Sequence, residues 1–367
     1  MKKLYICSII MVCFILYSNL SAQTVIKITD SDLNLISRWD KAVQTGETNQ
    51  SFWIGYSIKR LMGENSYIGS FSDDDDRPSL ADVISGKVSE LKNMNSDSRH
   101  KNFVWNEEKS IEKILKDVAI IFEVTKENNS NFRIREIEVT NLELPFEFHE
   151  MKLYWLGNTD HDESIAFLKN QFQQSNDSEI REDLVTAIGI HDNNMTGYNF
   201  LKDVIDGSDI DDVREQAVFW IARHENKEVL PLLRKLAVND RSEDVREKAV
   251  FGLYISDTDE AVDVLIELAK NANNTDIRKK AMFWLGQTAS KKAVKTIEDA
   301  VYNDEETEIQ KQAVFALSQL DKDEGLDKLI KVAKTHPNPE IRKKAIFWLG
   351  QSDDDRALDA LIGFLKN

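Results

Sequence analysis

Cysteine is nearly missing from this chain: there are two in 367 residues, Cys7 and Cys13. Both lie in Met1–Ala22, where Lys2 and Lys3 precede an apolar run from Leu4 to Tyr17 and Ser21-Ala22 precedes Gln23. That is the layout of a secretory signal peptide, with cleavage expected after Ala22 and export to the periplasm or cell envelope. The alternative, an uncleaved anchor, needs roughly 18 to 20 apolar residues, more than the run provides. No small-residue lipobox precedes either cysteine. The mature chain would hold no thiol, which excludes a disulfide, a thiolate ligand and a cysteine nucleophile.

Positive charge is also short. Against 64 acidic residues stand 47 basic ones, for a formal net charge of −17. This argues against a nucleic acid or an anionic membrane surface as the main partner, although a local basic strip remains compatible with it. Catalytic signatures are missing too: no HExxH, GxSxG, P-loop or GxGxxG occurs. Of six histidines, His161, His191 and His224 stand beside Asp162, Asp192 and Glu225 in what read as successive hinges. Zinc ligands converge to about 2 Å of the metal, whereas stacked helices lie roughly 8 to 10 Å apart. These residues are therefore expected to be exposed hinge histidines, and no metal or cofactor is expected. Asp73–Asp76 lacks the alternating ligands, glycine and distal glutamate of a calcium loop and reads as a solvated turn.

What is present is a repeat. Ile277–Gln287 reads IRKKAMFWLGQ, and 64 residues later Ile341–Gln351 reads IRKKAIFWLGQ. Aligned on the first aliphatic, the starts are Phe148, Ile180, Val213, Val245, Ile277, Ile309 and Ile341, spaced by 32 or 33. Such a period signals a solenoid of supersecondary units that bury their faces only by stacking. Several copies carry a capping residue three positions earlier, namely Asp177, Ser242, Asn274 and Asn338, the last followed by Pro339. A second helix follows, as in Glu260–Lys270, Glu324–Lys334 and Arg356–Lys366.

Residues 23–144 show no repeat. A helix over Ser31–Val43, a buried strand FWIGYSI over Phe52–Ile58, a helix over Ser110–Lys116 and a hairpin of Val118–Thr125 with Phe132–Leu144 are the expected elements.

The copies VREQAVFWIA (Val213–Ala222) and VREKAVFGLY (Val245–Tyr254) resemble the HEAT-repeat family, in the short form noted in phycobilisome-lyase-type proteins. The resemblance implies an all-α right-handed superhelical solenoid over residues 145–367, in seven units, preceded by a smaller α+β domain. His149-Glu150 and His224-Glu225 bear on the HEAT-repeat deoxyhypusine hydroxylases, whose iron is held by four His-Glu pairs on helices. Here the set is incomplete and out of register.

On a helix advancing about 100° per residue, positions 0, 4, 7 and 8 of the motif share one face, and positions 2, 6 and 9 face away. Position 7 alternates Trp155, Ala187, Trp220, Gly252, Trp284, Ala316, Trp348, which predicts that each indole fills the space beside the small residue next door. Position 1 gives Arg181, Arg214, Arg246, Arg278 and Arg342, each preceded by an acid; the resemblance implies pairing between repeats. Position 6 carries Tyr154, Phe219, Phe251, Phe283, Phe315 and Phe347, interrupted only by Thr186, and the resemblance places it on the concave wall. These rings either floor a groove or close against one another. Position 2 runs Glu182, Glu215, Glu247, Lys279, Lys311, Lys343, so the groove is expected to change sign midway. An extended peptide or protein segment fits such a face. The function expected is a non-enzymatic scaffold. Recognition through the N-terminal domain, or an enzyme with its site there or at the domain junction, are the alternatives.

Overall fold

The structure, a computed structural model, describes residues 25–69, 77–87, 104–106, 112–127, 132–191, 193–288 and 290–365. The signal-peptide segment and Asp73–Asp76 lie outside the described residues. The chain divides into two compact units, Met1–Gly197 and Tyr198–Asn367.

The first unit is built on a five-stranded mixed sheet in the order β1-β7-β2-β5-β6. Its strands are β1 (Val25–Lys27), β2 (Ser51–Gly63), β5 (Lys113–Lys126), β6 (Phe132–Asn141) and β7 (Leu153–Asn158). Short β3 (Tyr67–Gly69) and β4 (Val104–Asn106) pair separately. Central β2 runs antiparallel to β5 from Ser51↔Thr125 to Gly63↔Lys113 and parallel to β7. It is covered on both faces, which is why it reads as an unbroken apolar run rather than an alternating one. On one side Trp39 of α1 (Leu35–Gly46) and Phe167 of α3 (His161–Gln174) close on Phe122, with ring centroids at 5.1 and 5.8 Å. On the other, Trp53, Ile121 and Trp155 pack with Leu80 and Val83 of α2 (Leu80–Ser85) and with Phe148.

Two expectations fail here. Lys113–Lys116 is the start of β5, not a helix. The unit aligned on Phe148 does not begin with a helix: Phe148 lies in a loop, His149 and Glu150 form a positive-φ turn, and LYWLGN is strand β7, with Trp155 opposite Gly55. The pattern YWLG satisfies helical spacing, but the open flank between β1 and β2 gives it two backbone partners, and tertiary pairing overrides local pattern. The motif helix is therefore realised in six copies: α4 (Ser178–Gly189), α6 (Asp211–Ile221), α8 (Glu243–Ser256), α10 (Thr275–Gly286), α12 (Thr307–Ser318) and α14 (Pro339–Leu349). Each is followed by a second helix: α5 (Met195–Gly207), α7 (Val229–Asn239), α9 (Asp259–Asn271), α11 (Lys291–Asn303), α13 (Lys322–Thr335) and α15 (Asp355–Leu365). No helix among the described residues is long and apolar enough to cross a membrane.

Asp177, Asn274 and Asn338 cap their helices by accepting from backbone N–H groups two or three residues on. Ser242 stands at the N-cap but makes no cap hydrogen bond. Positions 0, 4 and 8 are fully buried, as in Ile277, Ala281 and Leu285. Position 5, outside the stripe of positions 0, 4, 7 and 8, is buried as well in Val218, Val250, Met282 and Val314. In terminal α14 the same position, Ile346, is 37% exposed.

From Arg214 to Gln310 the arginine ladder alternates, whereas Arg342, two units beyond Arg278, donates to the carbonyls of His336 and Pro337. Arg214 and Arg278 donate from Nε to the carbonyls of Ile205 and Ala269, at 2.9 and 3.0 Å, and pair with Asp240 and Asp304. In the intervening units Arg246 and Gln310 instead donate to the backbone carbonyls of those same aspartates, at 2.8 and 2.9 Å. Pairing between repeats is thus realised, but with the aspartate of the next hinge rather than the acid preceding each arginine.

Candidate functional site

Position 6 forms a ladder of rings. Phe219 stacks on Phe251 with centroids 6.3 Å apart and planes at 10°; Phe283 stacks on Phe315 at 5.8 Å and 18°. Between these pairs Trp284 bridges Phe251 and Phe283, at 4.9 and 4.7 Å, and also stacks on Tyr254 at 4.6 Å. Trp348 repeats the arrangement one period later, against Phe315 at 4.8 Å and Phe347 at 5.0 Å. Four of the five phenylalanines are half-buried, and Phe347 is 52% exposed. The rings therefore close on one another and still present part of their surface.

This corrects the expected role of the indoles. A Cβ on Gly252 would meet Leu233 and Ala222, not an indole, and on Gly286 it would meet Ala316 at 3.0 Å. Small residues let the helices approach. Trp284 and Trp348 leave the core to join the ladder, while Trp220 is buried.

A surface cavity of about 520 Å³ opens over this ladder. Phe251, Phe283 and Trp284 line it together with Glu215, Asp244, Glu247, Lys248, Lys279, Lys280 and Gln312. Five of the ten residues picked from sequence meet here. Of the other five, Phe219, Phe315 and Lys311 lie on the same helices beyond its lining, and Phe347 and Lys343 lie on α14, which contributes nothing to it.

The walls do not simply change sign. Glu215 pairs with Lys248 at 3.5 Å and Glu247 with Lys280 at 2.7 Å, each across to the next unit. Lys279 holds Asp276 at 3.2 Å, and Lys311 bridges Glu308 and Glu340 at 3.0 and 2.8 Å. Burial pushes the Glu215 carboxyl up, with Lys248 opposing. Lys311, joined by Lys343, holds the Glu340 carboxyl below the usual range. Three carboxylates and three ammonium groups line the cavity, so it is neutral. Lys248, Lys280 and Gln312 were not among the residues read from sequence; a glutamate recurring 33 residues before a lysine is the signal that marks the first two.

The hinge histidines also differ from expectation. His191 and His224 are buried, not exposed. The Nδ1 atoms of His161 and His191 lie 2.8 Å apart, so the helix-spacing argument that separated them does not apply to this pair. Nε2 of His191 meets Ser164 Oγ at 3.1 Å, and Tyr56 from β2 reaches the same hydroxyl at 2.8 Å. Although the contact has the residues of a nucleophile and base, Ser164, His191 and Tyr56 are all fully buried, so no substrate reaches the hydroxyl. The chain acts as a polar clasp inside the first unit. His149 lies in the turn before β7 and His224 in a hinge, away from helical His-Glu positions.

The family model described as HEAT repeats matches residues 198–282 and 264–337, and that of the PBS lyase HEAT-like repeat matches residues 341–367. No curated protein matches the chain. Solved structures similar to it include human deoxyhypusine hydroxylase in complex with glycerol, at 16% identity and TM-score 0.27, covering 55% of this chain and 85% of that one. The CpcE–CpcF complex of phycocyanin lyase from Nostoc matches at 19% identity and TM-score 0.32, over 55% of this chain and 79% of that one. Lipovitellin matches at 12% identity and TM-score 0.38, over 64% and 34%.

Proposed function

Since the chain belongs to the HEAT-repeat family, we propose that it is a non-enzymatic scaffold whose motif-helix face docks a protein or peptide segment. The observation that carries this reading is the aromatic ladder. Half-buried rings with a cavity of about 520 Å³ above them leave apolar surface that a soluble protein keeps chiefly for a partner. Glu215 and Glu247 around it are paired with Lys248 and Lys280, which suits a wall that positions a segment better than one that moves protons. On this reading no cofactor takes part.

A photo-crosslinking residue placed at Gln312, in the cavity wall, tests it against one placed at Asp263, exposed on the second helix α9. Adducts formed from position 312 and not from 263 support the groove. Equal labelling, or none at 312 in native extract, overturns it.

The same reading has the protein exported through Met1–Ala22. N-terminal sequencing of protein from its native cell would begin at Gln23; a start at Met1 would refute export by cleavage.

A further inference from the structure

We infer that the segment docked in the groove is basic and seats a lysine or arginine on the Phe283–Trp284 ring pair of the cavity. This rests on the groove being the docking face and adds the class of side chain that it selects.

Two copies of one motif make the comparison. Phe347 and Trp348 meet at 5.0 Å and 80°, and Phe283 and Trp284 meet at 4.7 Å and 76°. In the first copy Nζ of Lys344 stands 5.6 Å from the centre of the Phe347 ring and 5.5 Å from that of Trp348. Both lie within the roughly 6 Å at which an aromatic face attracts a cation. Lys280 holds the same position in the second copy, but its Nζ goes to Glu247 at 2.7 Å. The cause lies in position 2 of the preceding unit, which is Glu247 before Lys280 and Lys311 before Lys344. A carboxylate there draws the lysine off the rings, whereas an ammonium group leaves it on them.

The other end of the ladder agrees, since the guanidinium of Arg223 stands 5.8 Å from the centre of the Phe219 ring. Both end rings thus hold a cation of the chain. Among the described residues none stands over Phe251, Phe283 or Trp284, the rings that line the cavity.

The carboxylates of the lining point the same way. Glu215 and Glu247 are paired with Lys248 and Lys280, and Lys279 is paired with Asp276, which is not in the lining. Asp244 lines the cavity and is exposed, and among the described residues its carboxylate makes no ion pair or hydrogen bond. Burial first, and then the charge of Asp244 against the pull of Lys248, raises the Glu215 carboxyl, so two carboxylates stand around one ammonium group. A lysine or arginine entering here lays its aliphatic stem on the rings and brings the charge that Asp244 lacks.

A random peptide array probed with residues 23–367 should return binders that carry lysine or arginine beside an apolar residue. In the strongest, replacing that basic residue by norleucine keeps the stem and removes the charge, and should lower affinity at least tenfold in calorimetry. Phe283→Leu should lower it as far. Gln312→Lys, which brings an ammonium group of the chain into the cavity, should weaken binding at least threefold, and Gln312→Glu should strengthen it. Should Phe283→Leu lose helical circular dichroism, the opposite signs of the two Gln312 variants decide. If the norleucine peptide binds as tightly, or the two Gln312 variants shift affinity alike, the basic residue is overturned while the groove stands. If n-butylammonium alone binds as tightly as the peptide, the rings take a free cation and the basic segment is overturned. If no peptide of the array binds in a way changed at position 312, the docking face itself falls, and the inference with it.

Discussion

Arg278 reaches forward to the carboxylate of Asp304, in the hinge before the next motif helix, while its Nε holds the carbonyl of Ala269 behind it at 3.0 Å. One side chain thus ties the end of the preceding unit's second helix to the start of the following unit. The backbone carbonyl of Asp304 is then taken by Gln310 at 2.9 Å. Truncating Arg278 would leave Asp304, 11% exposed, without its cation. We expect Arg278→Ala to cost about 3 to 5 kcal/mol, as breaking a buried pair does. Arg246→Ala, which loses hydrogen bonds to carbonyls at a half-exposed site, should cost about 1 kcal/mol. Urea unfolding of the two variants gives the comparison, and equal losses would contradict the different roles of the two arginines.

The indoles divide the same way. Trp220 is 1% exposed, so Trp220→Ala should cost about 3 to 5 kcal/mol, as large aromatic truncations in a core do. Trp284, half-buried in the ladder, loses mainly its ring partners, each worth about 0.5 to 1.5 kcal/mol. Trp284→Ala should therefore cost about 2 kcal/mol, less than Trp220→Ala, in the same unfolding measurement.

The solenoid was legible because Ile277, Ala281 and Leu285 recur with their spacing intact, and burial at those positions depends on little else. Trp155 misled because an aromatic-rich run beside a glycine suits a strand as well as a helix; only the flanking β1 and β2 decide. Phe251 was identified as outward-facing, but its ring partner Trp284 belongs to the next unit, and the angle between neighbouring helices is not encoded in either one. The His191 clasp was invisible for a stronger reason: Tyr56 comes from a strand more than 100 residues earlier, and no local pattern links them.

That clasp carries a pH dependence. Burial first, then the nearby charges of His161 and Arg60, hold His191 well below its ordinary value of 6.5. The folded state therefore keeps the ring neutral while the unfolded chain protonates it near pH 6.5. Below that pH the unfolded state binds more protons, so stability is present above about 6.5 and is lost as pH falls. Ser164 meets the ring at Nε2 and Tyr56 meets the Ser164 hydroxyl, while Glu163 adds to the field on Tyr56. Unfolding free energy measured at pH 7 and pH 5 should fall on acidification in the wild type, and the fall should shrink in His191→Gln. An unchanged slope in the variant would assign the acid sensitivity elsewhere.

Two glycines predict opposite signs for one substitution. Alanine in place of helical glycine normally gains up to about 1 kcal/mol through backbone entropy. At Gly363, in α15, an added Cβ meets nothing within 4 Å, so Gly363→Ala should stabilise by about that amount. At Gly286 the same atom would sit 3.0 Å from the Cα, Cβ and carbonyl oxygen of Ala316, which is backbone and cannot swing away. Helices α10 and α12 would have to separate, and overpacking of that kind costs about 1 to 3 kcal/mol. Gly286→Ala should thus destabilise despite its better helix propensity. The effect also reaches the groove: the approach of α10 to α12 sets the 5.8 Å stacking of Phe283 on Phe315. Widening it should quench or shift the emission of Trp284, which packs on Phe283, before any loss of helical circular dichroism. A variant that is as stable as wild type, with unaltered tryptophan emission, would show that the close contact is not what fixes the spacing of the units.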